Sequence, residues 1–290
     1  MSILVDENTR LIVQGITGRE GAFHTEQMLA YHTRVAAGVT PGKGGRRVHG
    51  VPVFNTVREA AEATGANASI AFVPARFTAE SVYEAMDADL PLVLAVAEHV
   101  PVMDMMGVHH AARKRNCRVI GPNSFGVISP GKAKAGFMAH RIFAPGRVGI
   151  MSRSATNCYE TVYLLTREGI GQSTCVGNGG DAIPGSAFVD ILPLFAADPG
   201  TEIIVIIGEI GGGEEELAAA YIKERVEKPV IALVAGRNSP RGRSMGHAGA
   251  IIGADGGGSA ERKEEALREA GVHIAESAAD IVKIAKRLGA

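Results

Sequence analysis

The sequence has no tryptophan, only 5% aromatic residues and just three cysteines among its 290 residues. So few aromatics leave little with which to build the stacking platforms of single-stranded nucleic-acid binders. Net charge is −1 and no basic run exceeds short pieces such as Arg113–Arg115, so an electrostatic footprint for nucleic acid is missing as well. Cys117, Cys158 and Cys175 are odd in number and lack metal-ligand spacing. That argues against a disulfide framework and against a metal site, and it fits a reducing, cytoplasmic compartment. No stretch approaches the roughly 18 uninterrupted apolar residues of a membrane span. The opening MSILVDENTR has neither the charged nor the apolar region of a secretion signal, so none is expected.

What the chain does have is glycine, 37 residues of it, and short apolar runs that alternate with longer segments of helical period. Leu11–Val13, Val35–Gly38, Ser69–Val73, Leu92–Val96 and Arg118–Ile120 read as buried strands. Between them, Phe23–Tyr31, Val57–Ala63, Ala79–Ala88 and Val102–Arg115 read as helices. The glycine- and proline-rich segment that follows has little periodicity. A second alternation begins at Val148–Ser152, runs through Ile203–Ile207 and Val230–Val234, and closes on a helix over Ala278–Leu288. Alternation of this kind implies parallel sheets covered on both faces. The expected architecture is α/β with two doubly wound domains, residues 1–121 and 148–290, joined by a connecting segment at 122–147. Ligand sites are expected where strands end and helices begin.

Glycine loops fall at those places. QGITGREG, with Gly15, Gly18 and Gly21, follows the first strand. Its G-x-x-G-x-x-G spacing departs from the dinucleotide fingerprint, and no acid follows at the distance that holds a ribose hydroxyl. Instead TPGKGG supplies Lys43 after the next strand, where it can neutralise a phosphate. A nucleotide-bearing ligand other than NAD is the better expectation. In the second half SRSAT (Ser152–Thr156), GNGGD (Gly177–Asp181) and GEIGG (Gly208–Gly212) each follow a strand, so three loops should meet on one sheet edge. Ser154 or Thr156 would serve equally well as an ordinary helix cap. GRSMGHAGAIIG (Gly242–Gly253) then sets His247 among residues with almost no side chain, which leaves its ring bare. A histidine, an acid such as Glu209 and an anion-binding helix start suit phosphoryl transfer through imidazole.

Taken in order, GVTPGKGG, VPVFNTVREA, VGxGGDxIPGSxF, IGEIGG, AAAYIKE and MGHAGAII closely resemble the α subunit of succinyl-CoA synthetase, the succinate–CoA ligase family, nearly end to end. The resemblance implies a Rossmann-like CoA-binding domain followed by a flavodoxin-like domain whose histidine is phosphorylated. That histidine is His247, and Glu209 matches the acid that contacts it. Thr17, Gly18, Arg19, Glu20, Lys43, Val96, Ala97 and Glu98 fall on CoA-contact positions, and Tyr159 on a carboxylate-substrate position. The implied reaction joins a carboxylate to CoA at the expense of ATP or GTP, through phosphohistidine and acyl phosphate. It implies a β subunit with an ATP-grasp domain, in an αβ or α2β2 assembly, that holds most of the nucleotide and its Mg2+.

Several positions depart from the family pattern. SRSATNCYE has Ala155, Asn157 and Cys158 in place of the usual glycine, leucine and threonine; GPNSFG has Ser124 and Phe125 where cysteine and proline are usual; and GNGGD brings in Asn178. Ala139, His140 and Arg141 replace the usual PGHI. If position 155 needs positive φ, alanine strains the phosphate loop formed with Ser154 by about 1 kcal/mol or more. Phe125, Asn157 and Asn178 point to a reshaped acyl pocket. Succinate, a substituted acid such as malate or citrate, and a non-catalytic CoA-binding role are the open alternatives. An NAD-dependent dehydrogenase is disfavoured by the glycine spacing.

Overall fold

The structure, a computed structural model, describes residues 2–290. The first strands are short runs of β-branched and small residues buried on both faces: β1 (Arg10–Gln14), β2 (Arg34–Val39), β5 (Ala68–Ala71), β6 (Leu92–Ala95) and β7 (Arg118–Ile120). They pair in parallel, and a small hairpin of β3 (Arg47–Val48) and β4 (Val51–Phe54) completes a sheet of order β3-β4-β2-β1-β5-β6-β7. The helices between them are α1 (Arg19–Ala30), α2 (Val57–Thr64), α3 (Ala75–Asp87) and α4 (Val102–Lys114). Local chemistry sets their ends. The Thr56 side chain caps the start of α2, and Gly65 closes it in the left-handed conformation at φ 63°.

The second sheet has the order β14-β13-β12-β10-β11-β8-β9. Its parallel strands are β10 (Pro145–Ser152), β11 (Gln172–Gly177), β12 (Ile203–Glu209), β13 (Val230–Ala235) and β14 (His273–Ala275). Helices α5 (Ala155–Arg167), α6 (Phe188–Ala197), α7 (Glu214–Arg225), α8 (Ala260–Glu269) and α9 (Ala278–Arg287) connect and cover them. In each sheet the strand order reverses beside the first parallel strand, at β1/β5 and at β10/β12. Those two switch points open the crevices that such folds use for ligands.

The segment expected to be a plain connection contains more. β8 (Gly126–Ser129) and β9 (Ala133–Gly136) form an antiparallel hairpin that extends the second sheet through β11. This hairpin is also a seam between the two halves. The Thr33 hydroxyl donates to Lys134 O at 2.9 Å, and Ile3 N–H donates to Thr174 Oγ1 at 3.1 Å. One apolar cluster runs from Leu11 and Leu94 through Val127 to Phe188 and Ile206, so the sheets share a continuous core.

Candidate functional site

Between β13 and α8 the chain forms a tongue. Gly242 N–H donates to Ile252 O, Met245 N–H to Ala250 O and Ala250 N–H to His247 O, which sets His247 at the tip. The tip lies against Gly180 in the loop after β11, where any Cβ would collide with the imidazole. Gly211, at φ +88°, abuts Gly249 O with equally little room. The small residues around His247 are therefore needed for close approach: they let the loops after β11 and β12 close on the ring.

His247 Nδ1 lies 2.6 Å from Glu209 Oε2, at the end of β12. That pairing makes Nδ1–H the donor and leaves Nε2 with its lone pair free. Side-chain exposure is 27% for His247 and 8% for Glu209, so the imidazole is reachable while the acid that orients it is not. The Glu209 hydrogen bond raises the His247 pKa against the opposing effect of burial, and the charge of Glu98 from the first half of the chain adds to the rise. Arg153 Nη2 approaches Glu209 Oε1 at 3.1 Å, and its Nη1 is buried without a partner. A buried orphan donor costs about 1–3 kcal/mol, which an anionic ligand would offset.

Below the acid, Glu215 Oε1 accepts the Glu209 backbone N–H at 3.0 Å. Glu215 forms a fully buried ion pair with Lys263, whose ammonium also donates to Gly211 O at 2.6 Å. Breaking such a pair from one side costs roughly 3–5 kcal/mol, so it fixes the shape of the GEIGG loop.

The expected phosphate loop sits at the start of α5. Ser154 is its N-cap, accepting from Asn157 N–H at 3.4 Å and from Asn157 Nδ2 at 3.1 Å. Ala155 is the first helical residue and is not among the residues with positive φ, so the strain considered for it does not arise. Ser124 is buried, donating to Gly177 O at 2.6 Å, and Phe125 packs edge-on against Tyr159. The Tyr159 hydroxyl is buried without a partner, and burial with the neighbouring thiols of Cys158 and Cys175 pushes its pKa well up. Asn178 Nδ2 donates to Ser186 O at 3.4 Å. Phe125 and Asn157 are engaged within the second half by Tyr159 and Ser154, whereas the Asn178 Oδ1 is buried without a partner.

Most of the other expected residues gather at the first switch point, while the Glu98 charge acts on His247. Lys43 Nζ donates to Thr17 Oγ1 at 3.2 Å, which joins the loops after β1 and β2. No side chain caps α1, so its first amides stay available to an anion. A cavity of about 790 Å³ opens beside them, lined by Gly18, Arg19, Glu20, Val96 and Ala97. Its aromatic wall of His24, Phe72 and Phe137 was not foreseen: the His24 and Phe72 rings stack at 5.2 Å, and Phe137 comes from β9's continuation. Arg153, Glu215 and Lys263 were also missed. Among the described residues no cluster of His, Cys, Asp and Glu could hold a metal ion, and no helix is long and apolar enough to cross a membrane.

Residues 6–99 match the family described as CoA binding domain, and residues 151–273 match CoA-ligase. The succinate–CoA ligase [ADP-forming] subunit alpha of Aquifex aeolicus is 53% identical over 283 residues, covering 97% of this chain and 92% of its own. The protein named subunit alpha 1 of the same ligase in Archaeoglobus fulgidus is 51% identical over 288 residues, 99% of this chain and 98% of its own. Among solved structures, ATP citrate lyase from Methanothrix soehngenii, in complex with citrate and coenzyme A, superposes with a TM-score of 0.89 at 28% identity. That match covers 99% of this chain and 50% of the longer one. Full-length identity of this order, with both domain families in sequence, means that the chain belongs to the alpha-subunit family of succinate–CoA ligases, which are acid–thiol ligases.

Proposed function

We propose that this chain is the histidine-bearing subunit of an NDP-forming ligase that converts succinate, CoA and ATP or GTP to succinyl-CoA, NDP and phosphate. The observation that carries the reading is the imidazole at the tip of its tongue, bound through Nδ1 to Glu209 with Nε2 bare. Neutral Nε2 attacks the γ-phosphorus of the nucleotide, the bond to NDP breaks, and Glu209 balances the imidazolium charge that develops. A succinate carboxylate oxygen then takes the phosphoryl group and returns Nε2 to its free state. The CoA thiolate attacks the carbonyl carbon of succinyl phosphate, and phosphate leaves. The orphan Nη1 of Arg153 and the α5 amides beyond the one that Ser154 caps suit the phosphoryl oxygens at each stage.

CoA is assigned to the 790 Å³ cavity, with Lys43 and the α1 amides on its phosphates. The nucleotide, with Mg2+ to neutralise it, is assigned mainly to a β subunit with an ATP-grasp domain. Leu217, Met245 and Ile251 are exposed on the loops and helix start beside His247, a face suited to that partner. Three free, buried thiols fit a cytoplasmic setting. Full-length relatives at 51–53% identity are named succinate–CoA ligases, which favours succinate over malate or citrate.

The test is phosphorylation of the co-expressed complex by labelled ATP or GTP, beside His247→Asn. Acid-labile label absent from the variant and discharged by succinate plus CoA is the expected result. A complex that assembles and binds CoA yet takes no label would sink the reading; best discharge by malate or citrate would overturn its substrate.

A further inference from the structure

The two half-sites lie on different sheets, yet CoA must deliver its thiol to a carbonyl formed at His247. One side chain ties the two loops together. Asp181 follows Gly180, the residue pressed against the His247 ring, and its Oδ2 accepts the backbone N–H of Val100 at 3.2 Å across 81 residues. Val100 ends the loop that begins with Val96, Ala97 and Glu98, two of which line the CoA cavity. Asp181 is 5% exposed and its Oδ1 is buried without a partner, so this carboxylate is not a solvated surface acid. Burial raises its pKa, and the N–H groups of Val100 and His99 oppose that rise. The same loop is held once more from the other side, where Asn123 N–H donates to Ala97 O at 2.7 Å.

We propose that Asp181 is a positioning residue for coenzyme A: from the histidine-bearing half it pins the Val96–Val100 loop, setting where the thiol end of CoA meets the site at His247. The proposal rests on the assignment of CoA to that cavity and of phosphorylation to His247. It predicts a split between half-reactions that general damage to the fold would not produce. Histidine phosphorylation needs the tongue, Glu209 and the nucleotide, none of which Asp181 holds by a hydrogen bond. The CoA-dependent step needs the pinned loop.

The experiment compares the wild-type complex with Asp181→Ala and Asp181→Asn. Calorimetric affinity for CoA, labelling of His247 by nucleotide, and discharge of the label by succinate plus CoA are measured on each. Asp181→Ala removes a charge-assisted acceptor, so CoA affinity should fall about tenfold and KM for CoA should rise in step. Labelling should stay within about twofold, a change of only ~0.4 kcal/mol. Asp181→Asn keeps an amide oxygen for Val100 and should recover most of the affinity. If Asp181→Ala does not assemble, Asp181→Ser, too short to reach Val100, replaces it with the same expectation. Unchanged CoA affinity, equal loss of affinity and labelling, or an asparagine variant as weak as alanine would each overturn the proposal. Absence of label in the wild type would instead strike the histidine assignment, and the CoA measurement would still judge Asp181.

Discussion

The switch points of the two sheets use the same topology with opposite chemistry. At β1/β5 the site is open: an apolar, aromatic-walled cavity, uncapped helix amides and one lysine, with Arg19 and Glu20 exposed at its mouth. At β10/β12 the site is dense with buried charge: Arg153, Glu209 and the Glu215–Lys263 pair, closed over by a glycine tongue. A ligand that comes and goes whole needs a cavity and a few polar anchors. A side chain that forms and breaks its own bond to phosphorus needs fixed charges that do not reorganise during the step. Under the proposed function, the contrast divides the work: binding in the first half and covalent chemistry in the second.

The largest effect that could break this contrast is on the acid. Glu209→Gln should slow labelling of His247 by about a hundredfold, because the carboxylate that supports the imidazolium is gone. CoA affinity should not move. The pH profile carries a second signature. Glu209 raises the His247 pKa, and only neutral imidazole attacks, so wild-type labelling should climb as pH rises through that elevated value. In the variant the acid limb should shift to lower pH while the plateau drops. The same pair contributes stability at pH below the unfolded value of about 6.5, which is lost as pH rises through the raised folded pKa. A variant that labels at the wild-type rate would place the chemistry elsewhere.

The mirror-image change lies in the first half. Lys43→Ala removes the ammonium that bridges to Thr17 at 3.2 Å and faces the phosphates assigned to CoA. Loss of a charged hydrogen bond predicts CoA binding weaker by roughly tenfold or somewhat more, with less dependence on salt. Labelling of His247 should be untouched. Titration of CoA against both complexes at two salt concentrations measures it, and an equal fall in labelling would erase the division between the halves.

Much of this was legible in the chain, for identifiable reasons. A run such as Ile203–Ile207 admits little except a buried strand, and the alternation with helices led directly to two doubly wound sheets. The hairpin β8–β9 escaped because its strands are four residues long, glycine-bounded and carry a lysine. His247 and Glu209 stood out through their small neighbours and their family motifs. Lys263 and Glu215 did not, since 48 residues separate them and nothing in either local pattern says which charges will be buried together. Asp181 was visible within GNGGD but its partner, a backbone N–H in the other half, is a fact of the folded chain alone. For Phe125, Asn157 and Asn178 the identity signals polarity or bulk, while only packing decides whether they face a ligand.

The smallest expected effect bears on the residue that most invited doubt. Ala155 stands where the family has glycine, and a lost phosphate loop would have made this a CoA-binding protein without chemistry. The backbone there is helical, immediately after the Ser154 cap, so alanine is at ease and its amide remains at the helix start. Ala155→Gly should therefore lower stability by no more than about 1 kcal/mol, the helix-propensity difference. Labelling by nucleotide should change by less than about twofold, since ~0.4 kcal/mol is all that the amide's altered freedom can contribute. Thermal melting and single-turnover labelling of the complex read both quantities. A gain of about tenfold, ~1.4 kcal/mol in the labelling step, would mean that the alanine holds the site back and that phosphate binding needs a backbone freedom only glycine supplies.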